Sequence, residues 1–298
     1  MILIADSGST KTDWRLLVPD GTNGFATISF ATSGINPFFL TGDEIVALLR
    51  SELCSRLETA DTPVPISAVE RIDFYGSGVA SQDQSEQVTN ALRTVFPDAQ
   101  TIEAHSDLFG AAHGLCGREP GIPCILGTGS NSCYYDGRTI VDNVPPCGFI
   151  LGDEGSGAAM GRKLLTAFLK RDLPEHLCDK LRYECGLSKD IILERVYRQP
   201  FPNRFLAQQT RFLGNYQSEE AIRKIIVGSF EKFFDRNVLK YPQCREVPVH
   251  LTGGIAFHFA GFLRPVAESR QLIVGKIIPS PIDDIAKYHV MSISILNR

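Results

Sequence analysis

The amino-acid sequence predicts an α/β fold in two domains, and two observations support this prediction. Apolar runs of strand length alternate with segments of helical periodicity, which is the order expected when helices cover sheets. One local design also occurs twice: a strand, a small-residue turn containing Gly-Ser, a second strand and an Asp-Gly turn. The matching pairs Gly8-Ser9 and Gly129-Ser130 lie about 120 residues apart. This repetition indicates an internal duplication at the scale of a domain.

The first half of the chain is predicted to alternate strands with helices. Glycine, aspartate and asparagine residues interrupt the apolar runs and mark the turns between them. Ser106 is the predicted N-cap of a helix that begins at Asp107. The predicted strands are 1–5, 12–18, 24–30, 69–75 and 99–104, and the predicted helices are 43–57, 85–96 and 107–114.

The second half begins like the first and then becomes largely helical. A strand over 122–126 is followed by a turn over 127–132 and a strand over 133–135. Later, a strand over 247–252 leads into Gly253-Gly254, and a helix over 256–268 and a strand over 272–278 follow. The helices between these two parts are predicted over 158–171, 174–184, 189–197, 203–213 and 218–240.

A cluster of glycines and a proline over 114–121 is the best candidate for a domain boundary. We predict an N-terminal domain over 1–117 and a C-terminal domain over 118–298 that carries the helical insertion. Whether the last residues return to the first domain is left open.

Charge and hydropathy exclude several classes of protein. The formal net charge is −4 and no long basic run occurs, which argues against nucleic acid as a partner. The N-terminus lacks the basic start of a signal peptide, and the uncharged stretches 21–42 and 247–263 are too polar or too short to span a bilayer. The eight cysteines form no C-x-x-C pair, so neither zinc nor a redox dithiol is indicated. We therefore expect a cytoplasmic protein with buried thiols and a small-molecule partner, with the choice between monomer and homodimer open.

Three glycine-containing turns follow strands, at 6–12, 127–132 and 252–254. Small residues let backbone N–H groups approach an anion closely, and consecutive amides form a concave anion site. None of the turns matches the P-loop or the dinucleotide-binding pattern. Two similar turns together with a Gly-Gly turn favour a phosphate site divided between the halves of the chain.

Four motifs, in this order, resemble those of the N-acetylglucosamine kinases, which belong with the BadF/BadG/BcrA/BcrD ATPase family. They are Asp6-Ser-Gly-Ser-Thr-Lys-Thr-Asp13, Gly127-Thr-Gly-Ser-Asn131, Gly152-Asp-Glu-Gly-Ser156 and Leu251-Thr-Gly-Gly254. The resemblance spans residues 1 to about 290. It implies two ribonuclease-H-like domains of the actin-like ATPase type, with ATP, Mg²⁺ and a sugar in the cleft between them.

The resemblance also implies functions for individual residues. Asp6 would face the magnesium ion through water. Pro145-Pro146-Cys147 departs from the family pattern near the sugar, which leaves the identity of the sugar open. The implied ATP and phosphate ligands are Gly8, Ser9, Thr10, Lys11, Gly127, Thr128, Gly253 and Gly254. The implied sugar ligands are Asn36, Ser130, Asn131, Cys147, Gly148 and Asp153.

Asp107 is the candidate general base. Phosphoryl transfer to a hydroxyl needs a carboxylate within hydrogen-bond reach, and Asp107 follows a strand at a helix start. The alternative is that Asp107 only stabilises the helix dipole. Lys11 either contacts phosphate or is solvated, and Glu154 either orients the site or bonds backbone amides. His105 and His113, which flank Asp107, are expected to be hydrogen-bonded bystanders.

The function that the resemblance implies is ATP-dependent phosphorylation of an amino sugar, with N-acetylglucosamine phosphorylated at its 6-hydroxyl. Glucosamine and N-acetylmuramic acid are the alternative acceptors. A second alternative is an ATPase activator of a radical dehydratase, which would need two nearby cysteines for an iron–sulfur cluster. A third is a non-catalytic nucleotide switch. A zinc-containing sugar kinase is disfavoured because no cysteine-rich motif is present.

Overall fold

The computed structural model describes residues 1–8, 10–21, 24–59 and 63–296. The chain forms two compact units, called unit 1 and unit 2 below. Unit 1 comprises Met1–Gly117 and Pro281–Arg298, and unit 2 comprises Arg118–Ser280. The chain therefore leaves unit 1 after Gly117 and returns to it at Pro281. A common origin of the two units stays a prediction.

The strands form one sheet of five, one of four and one of two. In unit 1 the order is β3-β2-β1-β4-β5, where β1, β2 and β3 are antiparallel and β1, β4 and β5 are parallel. In unit 2 the order is β11-β10-β6-β7. The strands are β1 Ile2–Ser7, β2 Lys11–Pro19, β3 Phe25–Ser33, β4 Arg71–Gly76, β5 Thr101–Ser106, β6 Ile122–Leu126, β7 Ser130–Ser132, β8 Tyr134–Tyr135, β9 Ile140–Asp142, β10 Val249–Thr252 and β11 Val274–Ile278.

Helices cover the sheets and form most of the insertion in unit 2. No helix in the described part of the chain is both long and apolar enough to cross a membrane. The helices are α1 Gly42–Leu48, α2 Ser55–Glu58, α3 Gln82–Val95, α4 Asp107–Cys116, α5 Gly148–Leu151, α6 Gly157–Lys170, α7 Glu175–Tyr183, α8 Lys189–Tyr197, α9 Pro202–Gln208, α10 Thr210–Asn215, α11 Glu220–Arg236, α12 Gly254–His258, α13 Ala260–Glu268 and α14 Ile282–Leu296.

The sheet of unit 1 is covered on both faces because alternate residues of its strands point in opposite directions. Leu3 and Ala5 of β1 join a core with residues of α1 and α3. Ile4, between them, packs with Ile282 and Ile285 of α14 on the other face. Helix α14 therefore completes the hydrophobic core of unit 1 although it comes last in the sequence.

Unit 2 has a single large core. Phe230, Phe233 and Phe234 of α11 are fully buried in it together with Leu126 of β6 and Leu251 of β10. Burial of aromatic side chains of this size is a major source of stability. The core fixes the strands whose ends carry the glycine turns of unit 2.

Several predicted elements need correction. The strand predicted over 133–135 is observed as β8, Tyr134–Tyr135, but the turn predicted over 127–132 contains a further strand, β7, which carries Ser130 and Asn131. A π-helical turn at Leu49–Cys54 interrupts the helix predicted over 43–57. Each of the helices predicted over 203–213 and 256–268 is divided in two. Helix α5 was not predicted, and no bounds were predicted for α14. Two of the thiols that were expected to be buried, those of Cys147 and Cys185, are exposed.

Candidate active site

In unit 1, predicted site residues meet at the edge where three parallel strands end. Asp6 on β1 is level with Tyr75 on β4, which is level with His105 on β5. Neighbouring strands lie about 4.8 Å apart, so the ends of β1 and β5 are separated by about 10 Å. The edge therefore collects Asp6, the turn after β1 and Asp107, which follows β5 directly.

Asp107 is the first residue of α4 and does not cap that helix. The N-cap is Ser106, whose side chain accepts a hydrogen bond from the Phe109 N–H at 3.2 Å. Burial raises the pKa of the Asp107 carboxyl, although part of the residue stays accessible and the Leu108 N–H opposes the shift. A carboxylate with a raised pKa is a better proton acceptor than an exposed one. Because Ser106 supplies the cap, the carboxylate is available for chemistry.

The hairpin after β1 is tight, as predicted. The Gly8 N–H donates to the Lys11 carbonyl at 2.9 Å, and a Cβ on Gly8 would meet only that oxygen, at 3.6 Å. Thr10 is exposed at the bend, and Ser9 lies outside the described residues. The Lys11 ammonium is paired with Asp13 at 2.6 Å. This ion pair favours the solvated interpretation of Lys11 over a direct phosphate contact.

Asn36 is buried beside the loop that follows β4. Its Oδ1 accepts a hydrogen bond from the Phe38 N–H at 2.9 Å, and its Nδ2 donates to Ser77 Oγ at 3.4 Å. Gly78 has a φ of +87°, and a Cβ there would overlap the Asn36 amide. The position therefore requires glycine, and Asn36 is fixed at the same edge as Asp6 and Asp107.

In unit 2, two glycine turns meet at the end of parallel strands. Thr252 of β10 is level with Ile125 of β6, so Gly253 lies beside the turn that starts at Gly127. Gly253 has a φ of +108°, and a Cβ there would overlap the Leu126 carbonyl. The N-terminal amides of α6 hold the same turn, since the Gly157 N–H donates to the Gly127 carbonyl at 2.8 Å.

A cavity of about 800 Å³ opens at this edge of unit 2. Nothing lies within 4 Å of where a Cβ on Gly127 or Gly254 would stand, so both glycines leave space open. Three of the predicted nucleotide ligands, Gly127, Thr128 and Gly254, line the cavity. The remaining lining residues, which were not predicted, are Ala207, Thr210, Arg211, Gly214, Asn215, Gln217, Ile255, His258 and Phe259.

Four polar side chains of this lining are available to a ligand. Within residues 118–280, all of which are described, the side chains of Arg211, Asn215, Gln217 and His258 make no hydrogen bond or ion pair with the protein. A cation and two amides around an apolar floor match the general composition of a small-molecule site. The cavity thus combines glycines that leave space for a ligand with polar side chains that can form hydrogen bonds to it.

The predicted sugar ligands of unit 2 surround Asp153. The Ser130 N–H donates to Asp153 Oδ1 at 3.3 Å, and the Asp153 N–H donates to the Pro146 carbonyl at 2.8 Å. The pKa of Asp153 is raised to about 6, chiefly by burial and in part by the nearby Glu154, while the hydrogen bond from the Ser130 N–H opposes the shift. Asp153 also has a φ of +51°, a conformation that aspartate tolerates better than most residues.

The remaining predicted sugar ligands of unit 2 are neighbours of Asp153 or Ser130. Cys147 and Gly148 lie on the loop before Asp153, and Asn131 follows Ser130 on β7. Cys147 is exposed, has a φ of +60° and immediately precedes Gly148, the first residue of α5. A Cβ on Gly152 would stand 3.0 Å from the Cys147 Cβ, so the loop from Cys147 to Asp153 closes on itself. Asn131 Oδ1 accepts hydrogen bonds from the Ser132 N–H at 2.9 Å and from Asn143 Nδ2 at 3.0 Å.

Glu154 is engaged with helix α11. Its carboxylate pairs with Arg236 Nη1 at 2.6 Å and accepts a hydrogen bond from Asn237 Nδ2 at 3.4 Å. These contacts anchor the loop that carries Asp153. They favour an orienting function for Glu154 over participation in the reaction.

Among the described residues, no three His, Cys, Asp or Glu side chains converge as the ligands of a metal ion. Mg²⁺ in kinases is commonly bound by one or two carboxylates together with water and the phosphates of the substrate. Asp6 at the strand end next to the hairpin fits this kind of site.

The chain can be compared with known proteins by sequence and by fold. No protein-family model matches the chain, and no curated protein matches it. Solved structures do match. The chain is similar to MreB 5 of Spiroplasma citri bound to AMPPNP, with 11% identity, coverage of 99% of this chain and 98% of that chain, and a TM-score of 0.55. That likeness shows the fold alone, and it confirms the predicted α/β, actin-like ATPase class.

Two further structures are more similar. One, from Porphyromonas gingivalis, is named a "putative N-acetylglucosamine kinase"; it is 42% identical over 98% of this chain and 99% of that chain, with a TM-score of 0.90. Another of the same name, from Chromobacterium violaceum, is 19% identical over 96% and 98% of the two chains, with a TM-score of 0.71. The chain belongs to the N-acetylglucosamine kinase-like family that its motifs resemble.

Proposed function

We propose that this protein is an ATP-dependent kinase that phosphorylates an amino sugar, N-acetylglucosamine at its 6-hydroxyl. The observation that supports the sugar class is the 42% identity over 98% of the chain to the Porphyromonas gingivalis protein. The composition of the two sheet edges supports the reaction type. One edge holds a carboxylate at a helix start, and the other holds glycine turns beside a cavity of about 800 Å³.

In this proposal the nucleotide occupies the cavity of unit 2. Gly127 and Thr128 receive phosphate oxygens at their backbone, and Gly253-Gly254 lie against the adenosine. A side chain on Gly127 or Gly254 would project into space that is open in the structure. The open space at both glycines is what a bound nucleotide requires, so the residues present fit ATP. Gly8, Ser9 and Thr10 are the other proposed phosphate ligands.

Asp107 takes the proton of the acceptor hydroxyl. As the hydroxyl oxygen forms a bond to the γ-phosphorus, the bond between that phosphorus and the bridging oxygen of ADP breaks. Asn36, Ser130, Asn131 and Asp153 orient the sugar through its hydroxyls, and Cys147-Gly148 contribute to the same subsite. Asp6 would hold Mg²⁺ through water, and the ion would neutralise charge on the phosphates.

The experiment that tests the proposal measures ADP release with a panel of amino sugars for the wild type and for Asp107→Asn. The variant keeps the shape and a hydrogen-bond acceptor but cannot take the proton. We expect N-acetylglucosamine to give the highest kcat/KM and Asp107→Asn to lose about 10²–10⁴-fold in turnover. ATP affinity and melting temperature should barely change.

Asp83→Asn is the matched control. Asp83 is also an acidic residue in the first turn of a helix that a serine caps, and it lies in the same unit. A function limited to the helix dipole would give both variants the same small loss of stability, of about 1 kcal/mol or less, and full turnover. Retention of more than about a tenth of turnover in Asp107→Asn would exclude Asp107 as the base.

A further inference from the structure

A buried polar cluster connects three elements of unit 1. Tyr75 of β4 has its hydroxyl 3.0 Å from His113 Nδ1 on α4 and 2.9 Å from His289 Nε2 on α14. These three residues, called the tyrosine–histidine cluster below, are at most 7% exposed. The mechanism proposed above uses none of them.

The neighbours of the cluster determine where its protons lie. His289 Nδ1 faces Asp73 Oδ2 at 3.5 Å, and Arg71 donates two hydrogen bonds of 2.7 Å to the same carboxylate. His289 therefore carries its proton on Nδ1 and accepts a hydrogen bond from the Tyr75 hydroxyl at Nε2. The Tyr75 oxygen then accepts a hydrogen bond from the His113 Nδ1–H. The result is a chain of bonds with a single direction, which ends at the Asp73 carboxylate.

The cluster contacts α4 close to Asp107. A Cβ on Gly110 would stand 2.8 Å from the Tyr75 Cβ, so α4 lies directly against Tyr75. Gly110 follows Asp107 by three residues, which is about 4.5 Å along a helix axis. His113 follows one turn later and bonds the hydroxyl of the same tyrosine. Two successive turns of α4 are thus held by one side chain of the sheet.

Apolar packing alone would not fix α4 in this way. Ile4, Leu17 and Ile285 surround the cluster, and contacts between apolar side chains are not directional. Buried hydrogen bonds are costly to break and have one favourable geometry. The cluster therefore permits one axial position of α4 against the sheet. Because Asp107 is the first residue of α4, its carboxylate is fixed by the same bonds.

We propose that the tyrosine–histidine cluster positions Asp107 for proton transfer, and that Tyr75, His113 and His289 are positioning residues of the reaction. This rests on the proposed function, in which Asp107 is the base. The cluster never touches the substrate. It acts by holding the helix start at the strand ends, where a displacement of about 1 Å can cost on the order of 100-fold in rate.

The first test is Tyr75→Phe, which keeps the ring against Gly110 and removes the hydroxyl. We expect kcat to fall about tenfold or more while KM for ATP stays within about twofold. His113→Asn keeps an N–H close to the position of Nδ1 and should retain most of kcat, whereas His113→Leu should lose it. If Tyr75→Phe does not fold, the difference in kcat between His113→Asn and His113→Leu still tests the proposal.

The matched control is Thr32→Val, which removes another buried hydrogen bond of unit 1. Thr32 Oγ1 accepts from the Trp14 Nε1–H at 2.9 Å. Thr32→Val should lower the melting temperature and leave kcat unchanged. Equal losses of kcat in Thr32→Val and Tyr75→Phe would reduce the cluster to a general structural element and overturn the proposal.

The double variant Tyr75→Phe/Asp107→Asn separates this proposal from the proposed function. If the cluster acts through Asp107, the double variant turns over no more slowly than Asp107→Asn alone. Additive losses, or an unchanged kcat in Tyr75→Phe, would overturn the positioning proposal while leaving Asp107 as the base. High turnover in Asp107→Asn would overturn both.

Discussion

The two units support their sheet edges with different chemistry. In unit 1, the helix that carries Asp107 is fixed by buried groups that can titrate, Tyr75, His113 and His289. In unit 2, the glycine turns rest on an apolar core, and the principal buried titratable group at the edge is Asp153. Burial lowers the pKa of the histidines and raises that of the carboxyl. Acid should therefore weaken the histidine support of α4 in unit 1 and stabilise the loop that carries Asp153 in unit 2.

Asp153→Asn in unit 2 should raise the free energy of unfolding at neutral pH. The pKa of Asp153 is raised to about 6 from 3.8, so the ionised carboxylate opposes folding at neutral pH. The stability lost in this way returns as pH falls from about 6 towards 3.8. Asparagine tolerates the positive φ and can still accept from the Ser130 N–H. We expect the variant to be up to about 3 kcal/mol more stable at pH 7 and to bind sugar more weakly.

Urea unfolding of wild type and variant at pH 7 and pH 4.5 measures this difference. The gain should shrink at the lower pH, because Asp153 is then largely neutral in the wild type. A gain of equal size at both values would mean that removal of the charge is not its cause. Glu154→Gln would instead break the ion pair with Arg236 and should give no gain.

The nucleotide turns should be sensitive to side chains where the structure leaves space open. Gly127→Val projects into the cavity of unit 2, whereas a Cβ on Gly129 would contact Asp153 at 3.1 Å. We expect Gly127→Val to raise the Kd for ATP about 100-fold, because the valine side chain would cost one or two hydrogen bonds to the charged phosphates. Gly129→Ala should affect the sugar more than ATP.

Isothermal titration with ATP checks this prediction, with Gly261→Val as the control. Gly261 lies on α13, and a Cβ there also has nothing within 4 Å. The control should leave ATP affinity unchanged. Wild-type affinity in folded Gly127→Val would remove the turn of unit 2 from the nucleotide site.

Acid should weaken the buried support of α4 in unit 1. Burial lowers the pKa of His113 to about 3 and lowers that of His289. The unfolded chain then binds protons more readily than the folded one, so stability falls as pH drops below 6.5. His113 contributes up to about 1.4 kcal/mol per pH unit to this loss, and His289 adds to it in the same direction. The charged and titratable groups that face the pair are Asp73, Arg71, Glu103, His105 and Tyr288.

Melting temperatures between pH 7 and pH 4 measure the response. His113→Asn combined with His289→Gln keeps donors and acceptors in place and removes both titrating groups, so the curve should flatten. Hydrogen exchange assigns the change to a unit: amides of α4 and α14 should lose protection before those of α11. Earlier loss in α11 would contradict the contrast between the units.

Much of the candidate site could be predicted because its signals are local. Ser106-Asp107 follows a strand and begins a helix, and both the cap and the position of Asp107 follow from that pattern. The strand over 122–126 and the glycine turn after it were predicted for the same reason. Parallel strands bring their carboxyl ends to one edge, so the meeting of Gly127 with Gly253 follows from topology once the strands are known.

The residues that were missed depend on long-range packing. Arg211, Asn215 and Gln217 lie in a helical insertion, and no local pattern shows that its polar side faces the glycine turns. The tyrosine–histidine cluster joins residues 214 positions apart, so the sequence carries no local sign of it. Helix α14 did have a signal, Pro281 followed by Asp283 and Asp284 and by apolar residues at helical spacing. The position of α14 could not be predicted, however, because it packs against strands of unit 1 that lie far from it in the sequence.

The return of the chain to unit 1 has a consequence for biosynthesis. Residues 118–280 leave the ribosome as a continuous block, whereas Ile282, Ile285 and His289 emerge only after that block. Unit 2 can therefore fold while unit 1 still lacks one layer of its core, although domains more often fold in N-to-C order. Pulse proteolysis of ribosome-stalled chains should show protection of unit 2 first. Protection of residues 1–117 in chains stalled before Pro281 emerges would contradict this order.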